Sequence, residues 1–468
     1  MIKFNTVKIL DTTFRDAHQS LLATRVKTDE MSEMIKEIDD LGFVAEEMWG
    51  GATFDSCIRY LFENPWERLD IFRQGFKKTS LQMLLRGQNL VGYRNYPDDV
   101  VELFIRTMAN HGMDRVRVFD ALNDFRNLKK SCEEIKKNKM HLQISIAYTT
   151  SPVHNEEYFL KLVDEAVEMK ADSLCIKDMA GLLTPGKAFP LVKKIKETHP
   201  SLIIDIHSHF TTGLADMTYL KAVEAGADII DCSISALAYG TGQPSIESLW
   251  TALYSMDKMD KPKYESLKKI NTHFEKIREK YKDFDKGVRT IKPDVLVNQI
   301  PGGMYSNLVS QLSSQGMLEK LEEVLQEVPR VRKDLGYPPL VTPTSQIVGV
   351  QAVMNVLFKE RYKTITKEVE NYIKGFYGTP PGEVSAELKN RILKGDNKQL
   401  TVRAADTLSP EVENGKKKLG ILNKSDEDLL IYLLFGEVGR KFLVKKYEDK
   451  LKIDFDLIYE DEVSSYPI

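Results

Sequence analysis

No Cys-x-x-Cys pair occurs in this chain. Its four cysteines, Cys57, Cys132, Cys175 and Cys232, are scattered, which argues against a thiolate zinc site and suits a reducing compartment. Nothing approaches the roughly 20 consecutive apolar residues that span a bilayer; the most apolar late stretch, residues 429–435, is far too short. The opening MIKFNTVKIL has neither a long apolar core nor a small-residue cleavage pattern, so no signal peptide is expected. Charge of one sign is also lacking: 66 Lys and Arg against 69 Asp and Glu leave a net −3, which excludes a surface built for nucleic acid. No Gly-x-Gly-x-x-Gly follows the first apolar run, which weakens an open, doubly wound dinucleotide fold. These absences lead to the expectation of a cytoplasmic protein, with peripheral attachment to a membrane partner left open.

What is present is a rhythm. Short apolar runs at residues 7–10, 43–48, 81–85, 115–119, 142–147, 173–176, 202–206 and 228–234 alternate with amphipathic stretches of helical length, such as 29–41, 98–111, 155–169, 186–198 and 213–225. Eight strands, each followed by a helix, predict a parallel (β/α)8 TIM barrel. The polar residues agree with it. Asp11 to Asp16, Glu46-Glu47, Arg86, Asp120 to Asp124, Lys177-Asp178 and His207 with His209 all fall where the apolar runs end, and in such barrels chemistry sits at the C-terminal ends of the strands. Beyond about residue 250 the rhythm stops, and Pro301-Gly-Gly303 opens a mostly helical remainder with helices expected at 307–315, 318–328, 344–358, 366–374 and 426–435. The expected division is a barrel over residues 1–295 and a helical domain over 296–468 covering the barrel mouth.

His207 and His209 stand two apart at the end of a strand, so strand periodicity puts both imidazoles on one face. Asp16 ends the first strand and can reach the same axis. Two histidines and a carboxylate suit a divalent Zn, Co or Mn ion. Lys177 ends the sixth strand; its bland reading is an ion pair with Asp178. Buried beside a cation, its amine would be driven neutral and open to carbamate formation. Arg15, Gln19 and Arg86 are rim donors, and a guanidinium fork favours a keto acid or dicarboxylate substrate. Glu46, Glu47 and Asp55 are equally available as structural partners for Arg86.

Several segments together resemble the biotin-dependent carboxyltransferase family: Asp11-Thr-Thr-Phe-Arg-Asp-Ala-His-Gln-Ser-Leu-Leu-Ala-Thr-Arg25, Trp49-Gly-Gly-Ala-Thr-Phe-Asp55, Leu84-Leu-Arg-Gly-Gln-Asn89, Arg117-Val-Phe-Asp-Ala-Leu-Asn123, Ile176-Lys-Asp-Met-Ala-Gly181, His207-Ser-His209, Pro301-Gly-Gly-Met-Tyr-Ser-Asn307 and Val341-Thr-Pro-Thr-Ser-Gln346. The resemblance implies a metal held by Asp16, carbamylated Lys177, His207 and His209. It implies that Arg86 and Gln19 bind the substrate, that Arg15, Asp55 and Tyr93 shape the biotin entrance, that Thr342 shuttles a proton and that Ser345 lies by the biotin ring. The implied reaction moves CO2 between oxaloacetate or pyruvate and biotin. Gly303-Met304 and Thr344-Ser-Gln346 place the oxaloacetate decarboxylase α subunit first among the readings, then the B subunit of a two-subunit pyruvate carboxylase, then the metal-bearing transcarboxylase subunit. Where many decarboxylase-type relatives carry a Cys on the fifth strand, Ala147 stands here, so no role is carried to it. The C-terminal stretch has no Met-Lys-Met, so biotin is expected on a separate carrier protein, or on a carrier domain if this sequence is part of a longer chain. A homodimer is expected, with membrane decarboxylase subunits or a biotin carboxylase subunit as further partners. Two readings from other classes compete: an aldol- or Claisen-type lyase on the same barrel, and a non-catalytic assembly subunit.

Overall fold

The structure, a computed structural model, describes residues 6–285, 290–394 and 399–451. The end of the chain, where the absence of a biotinyl-lysine motif is read, lies outside the described residues. Eight strands close a parallel barrel in sequence order: β1 (Lys8–Asp11), β2 (Ala45–Trp49), β3 (Ser80–Leu85), β4 (Arg115–Phe119), β5 (His141–Ala147), β6 (Ser173–Asp178), β7 (Ile203–Ser208) and β8 (Ile229–Cys232), with β8 pairing back onto β1. All eight apolar runs are strands. β6 and β7 run about two residues further than the apolar pattern, so Lys177 and His207 are strand residues, and they stand opposite each other in the β6–β7 ladder. The expected helix at 29–41 is broken into Thr28–Ser32 and Ile35–Asp39.

The barrel's interior is unusual in being charged. Barrels of this type are commonly filled with branched apolar side chains. Here Glu47, Gln82, Arg117, Gln143, Asp205 and Asp231 are fully buried. Arg117 is the hub: it donates to Asp205 at 2.8 Å, to Asp231 at 3.0 Å, and lies 3.4 Å from Glu47. Buried charges persist only when paired and hydrogen-bonded, and this network supplies that pairing directly beneath the polar rim. Most of the strands' apolar side chains point the other way, outward against the helices, in a large cluster that begins at Val7, while Leu10, Ala45 and Ile229 form a small cluster of their own.

A second apolar cluster, from Ile300 to Ile392 with Leu122 of the β4 rim, lies over the mouth. The chain then goes back: Leu419 to Leu443 join the barrel's cluster, not the second one. Phe435 stacks on Phe54 at 5.8 Å, and Phe442 meets Phe62 at 5.1 Å. The segment Asp426–Leu451 is two helical arms, broken at Gly436 (φ 55°, ψ −131°). Lys446 and Tyr447 on the second arm reach Asp428 on the first at 2.9 and 2.7 Å. A Cβ on Gly439 would lie 2.4 Å from the Ile431 carbonyl oxygen, so only glycine lets the arms approach. Among the described residues no helix is long and apolar enough to cross a membrane.

This return is pinned by His111. Its Nδ1 lies 2.6 Å from Asp70 and its Nε2 lies 2.8 Å from Glu427. Both neighbours are acceptors, so the ring donates from both nitrogens and is cationic. Burial opposes that charge, but Asp70 and Glu427 outweigh it and raise the pKa above the ordinary 6.5. A raised folded-state pKa stabilises fully below the unfolded value and is lost as pH rises through the folded one. Amide exchange in Asp426–Leu451 should therefore quicken as pH rises above about 6.5, beyond the intrinsic chemical acceleration, and His111→Gln should flatten that dependence. An unchanged profile in the variant would dismiss the latch.

Candidate active site

β1 ends in a wide turn, Thr13–Ala17, that carries Arg15 and Asp16 inward, both buried. β7 delivers His207, and His209 follows just beyond it, their rings 5.1 Å apart. Asp16 Oδ2 lies 3.1 Å from His207 Nε2 and 3.4 Å from His209 Nε2. One ligand-type atom from each of the three residues falls within 4.8 Å of the others. Lys177 Nζ is 2.8 Å from His207 Nε2 and 3.6 Å from Asp16 Oδ2. The alternative ion pair with Asp178 does not form: that carboxylate accepts the backbone N–H groups of Leu182 and Leu183 and the Ser208 hydroxyl.

The far nitrogens fix the tautomers. His209 Nδ1 lies 2.5 Å from the Thr241 carbonyl, which can only accept, so Nδ1 carries the proton. His207 Nδ1 donates to Asp231 at 2.6 Å. Both Nε2 lone pairs are thereby turned toward Asp16, which is how second partners orient metal-binding histidines. Burial alone would push the Asp16 carboxyl up, but Arg15, Lys177 and His209 hold it well below the usual range. Burial also depresses the Lys177 ammonium and the His207 imidazolium. An ionised carboxylate, two imidazoles whose Nε2 atoms converge on it and an amine that disfavours its charge form a donor set that fits a divalent metal.

Two residues of this set carry no sequence signal at a strand end. Gln243, fully buried, donates from Nε2 to Asp16 at 3.1 Å and sits 3.2 Å from His209 Nε2, with its Oε1 accepting from Thr12 at 3.0 Å. Asp231 lies on β8 itself, held ionised by Arg117 and His207 against the cost of burial. An acid inside an otherwise apolar strand run is the mark that could have singled it out. Asp231→Asn should weaken metal binding by about 10–100-fold, the usual cost of losing a histidine's orienting carboxylate. Metal titration of the variant checks this, and unaltered affinity would refute it.

The remaining candidates distribute over the mouth. A cavity of about 400 Å³ is lined by Asp16, Gln19, His209, Thr342 and Ser345, with Pro301 to Met304 on its other side. A smaller adjoining cavity is lined by Arg86, Asp120, Asn127 and Tyr377, and Thr342 borders both. Arg86 pairs with none of the acids offered to it: it donates to the Gly92 carbonyl at 3.0 Å and lies 4.8 Å from the Tyr93 ring. Arg15 is occupied by Glu47 at 2.6 Å and Asp16 at 3.0 Å. Gly50-Gly51 make room for both arginines, since a Cβ on Gly51 would lie 2.8 Å from Arg86 Cζ and one on Gly50 3.1 Å from Arg15 Cδ. Asp55 pairs with Arg59 at 2.6 Å, and Tyr93 is half exposed, so these two stand outside both cavities on the outer rim. Thr344 does not cap the helix Thr344–Leu357; its hydroxyl turns back to the Pro339 and Val341 carbonyls.

Two family profiles match the chain: one described as a conserved carboxylase domain, over residues 295–463, and one described as HMGL-like, over residues 100–281. The pyruvate carboxylase B subunit of Methanocaldococcus jannaschii is 55% identical over 93% of this chain and 77% of its own length. The methylmalonyl-CoA carboxyltransferase 5S subunit of Propionibacterium freudenreichii subsp. shermanii is 45% identical over 94% of this chain and 88% of its own. The carboxyl transferase domain of Rhizobium etli pyruvate carboxylase, solved with pyruvate and biocytin, superposes with a TM-score of 0.89 at 34% identity, covering 95% of this chain and 78% of that one.

Proposed function

Because this chain belongs to the biotin-dependent carboxyltransferase family, and is a carboxyltransferase of the pyruvate carboxylase and transcarboxylase type, we propose that it exchanges a carboxyl group between biotin and pyruvate as the B subunit of a two-subunit pyruvate carboxylase. The relatives favour this reading over the oxaloacetate decarboxylase α subunit that Gly303-Met304 and Thr344-Ser-Gln346 put first. The observation that carries the chemistry is the single cavity joining Asp16 and His209 of the barrel to Thr342 and Ser345 of the helical part. A lyase working from the barrel alone leaves that conjunction without a purpose, and an assembly subunit leaves the whole donor set without one.

In this reading Asp16, His207, His209 and a carbamate on Lys177 hold a divalent metal, which when bound supplies Lewis-acid stabilisation of negative charge on the substrate oxygen. Gln19 and Arg86 bind the keto acid's oxygen and carboxylate, a fork-and-amide set suited to both. Thr342 gives its hydroxyl proton to biotin N1 as CO2 departs from that nitrogen, and takes a proton from the pyruvate methyl carbon. The enolate carbon so formed bonds to CO2, giving oxaloacetate. Ser345 faces the biotin ring, and Asp55, Tyr93 and Arg15 shape its approach. Residues 1–295 supply the metal and substrate side; residues 296–468 supply Thr342 and Ser345, with the arms of Asp426–Leu451 strapped to the barrel's flank. The partners proposed are a biotin carrier, a biotin carboxylase subunit and a second copy of this chain.

The deciding experiment supplies the metal-loaded protein with oxaloacetate, with and without free biotin or a carrier domain, and follows pyruvate. Biotin-dependent pyruvate release is expected. Adding a biotin carboxylase, carrier, ATP, bicarbonate and pyruvate should run the sequence forward to oxaloacetate. Turnover of an acyl-CoA without biotin, or no pyruvate under any condition, would overturn the reading.

A further inference from the structure

Arg332 is buried on the helix Leu321–Asp334, among the residues packed over the barrel mouth. A buried guanidinium normally takes a carboxylate, because an unpaired charge out of water is costly. Among the described residues no carboxylate pairs with Arg332. Its donors go instead to neutral oxygens on three separate segments. Nε donates to the Pro338 carbonyl at 2.8 Å, Nη2 to the Thr149 hydroxyl at 2.9 Å, and Nη1 to the Thr150 carbonyl at 3.2 Å and to the Gln299 amide oxygen. Gln299 closes the ring by donating Nε2–H to the Thr150 hydroxyl at 2.8 Å. Burial lowers the Arg332 pKa to about 10, so it stays cationic at neutral pH.

The three segments meet at one place. Thr149 and Thr150 follow β5 on the rim. Gln299 leads into Pro301 and Gly302, and Pro338 leads into Leu340, Val341 and Thr342, all of them walls of the metal-side cavity. Val341 is seated against Phe119 and Ala147, the last residues of β4 and β5. Arg332 thus joins both passages to the barrel rim, beside the direct Gln299–Thr150 bond and the packing of Val341. A lysine cannot substitute, because one ammonium nitrogen cannot reach oxygens arrayed around a planar fork.

We propose that Arg332 is a positioning residue for carboxyl transfer, setting Thr342 against the metal-ligand cluster by joining the Pro338–Thr342 and Gln299–Gly302 passages to the β5 rim. The inference rests on the proposed function, in which Thr342 carries the proton. It predicts a defect in the proton-transfer geometry and not in metal or substrate binding, whose groups belong to the barrel.

The test uses the full chain loaded with metal, assayed for oxaloacetate decarboxylation with free biotin, alongside metal content and a melting curve. Arg332→Lys should lower kcat by about 10–100-fold, the scale of a displacement near 1 Å at a reacting group. KM for oxaloacetate and metal content should stay at the parent's values. In a Thr342→Ala background the same substitution should cost nothing further, since coupled positions are not additive. Should Arg332→Lys melt too low to assay, Arg332→Ala with added guanidinium replaces it, and recovery of kcat is expected. Undiminished kcat in Arg332→Lys, a full additive loss in the Thr342→Ala background, or no recovery with guanidinium would each overturn the inference. Activity surviving in Thr342→Ala alone would instead sink the shuttle reading, so the two failures are distinguishable.

Discussion

Replacing Thr342 with alanine leaves the fold and the metal content unchanged and lowers biotin-dependent transfer by about 10²–10⁴-fold, the range for loss of a positioned acid–base group. The position is what makes the expectation specific. Thr342 borders both the cavity of the metal ligands and the smaller one of Arg86, so the residue stands at the boundary between the two. A hydroxyl both donates and accepts, which a relay between two substrates requires. Alanine removes only a hydroxyl and a methyl at the cavity wall, and leaves the neighbouring packing of Val341 on Phe119 and Ala147 untouched. Thr342→Ser keeps the hydroxyl and should retain part of the rate. The measurement is oxaloacetate decarboxylation with free biotin, beside metal analysis and a melting curve. If the alanine variant works as well as the parent with metal and stability intact, the segment is only a support for the helix that follows it.

The barrel was legible because its strands obey the simplest rule available: apolar runs of four to seven residues between amphipathic helices. The rim was legible because ligand-type and charged residues cluster where the runs end, from Asp11 and Asp16 to His207 and His209. The histidine pair was legible from strand periodicity, which puts residues two apart on one face. What stayed hidden depends on contacts far apart in sequence. Asp231 reads as one acid in an apolar strand until His207 is brought to 2.6 Å from it. Gln243 lies in a loop and has no periodicity to betray it. Arg332 looks like one of several charges on an amphipathic helix. The return of Leu419 to Leu443 onto the barrel is invisible because an apolar helical face does not say which of two cores it will join. The expected helix at 426–435 ends correctly just before Gly436, but nothing local shows that a second arm folds back along it.

Lys177→Ala should lose most of its metal and, with it, transfer by a factor of at least about 10², since the charge-stabilising group would no longer be held. The geometry sets this expectation apart from the loss of an ordinary buried lysine. Lys177 faces His207 across the β6–β7 ladder, and its amine is 2.8 Å from the nitrogen that would face a metal in the proposed site. A protonated amine there is a like charge beside a cation. Burial already disfavours that proton, with Arg15 and Arg117 adding to it against Asp16 and Glu47. The amine's free-base form would attack the carbon of CO2 through its nitrogen lone pair and release one proton, leaving an N-carboxylate in which a neutral group becomes a negative one. That change would bring the donor set to two carboxylates and two imidazoles, oxygen and nitrogen ligands of the kind divalent metals take. Two measurements separate this from a structural role. Labelled bicarbonate should give a carbamate carbon signal in the parent and none in Lys177→Ala. Metal content of the parent should fall when protein is prepared in CO2-depleted buffer and recover on adding bicarbonate, with the melting curve showing a folded protein throughout. Full metal and activity in Lys177→Ala, or a parent indifferent to bicarbonate, would leave Asp16, His207 and His209 as the only protein ligands and Lys177 as a buried neighbour.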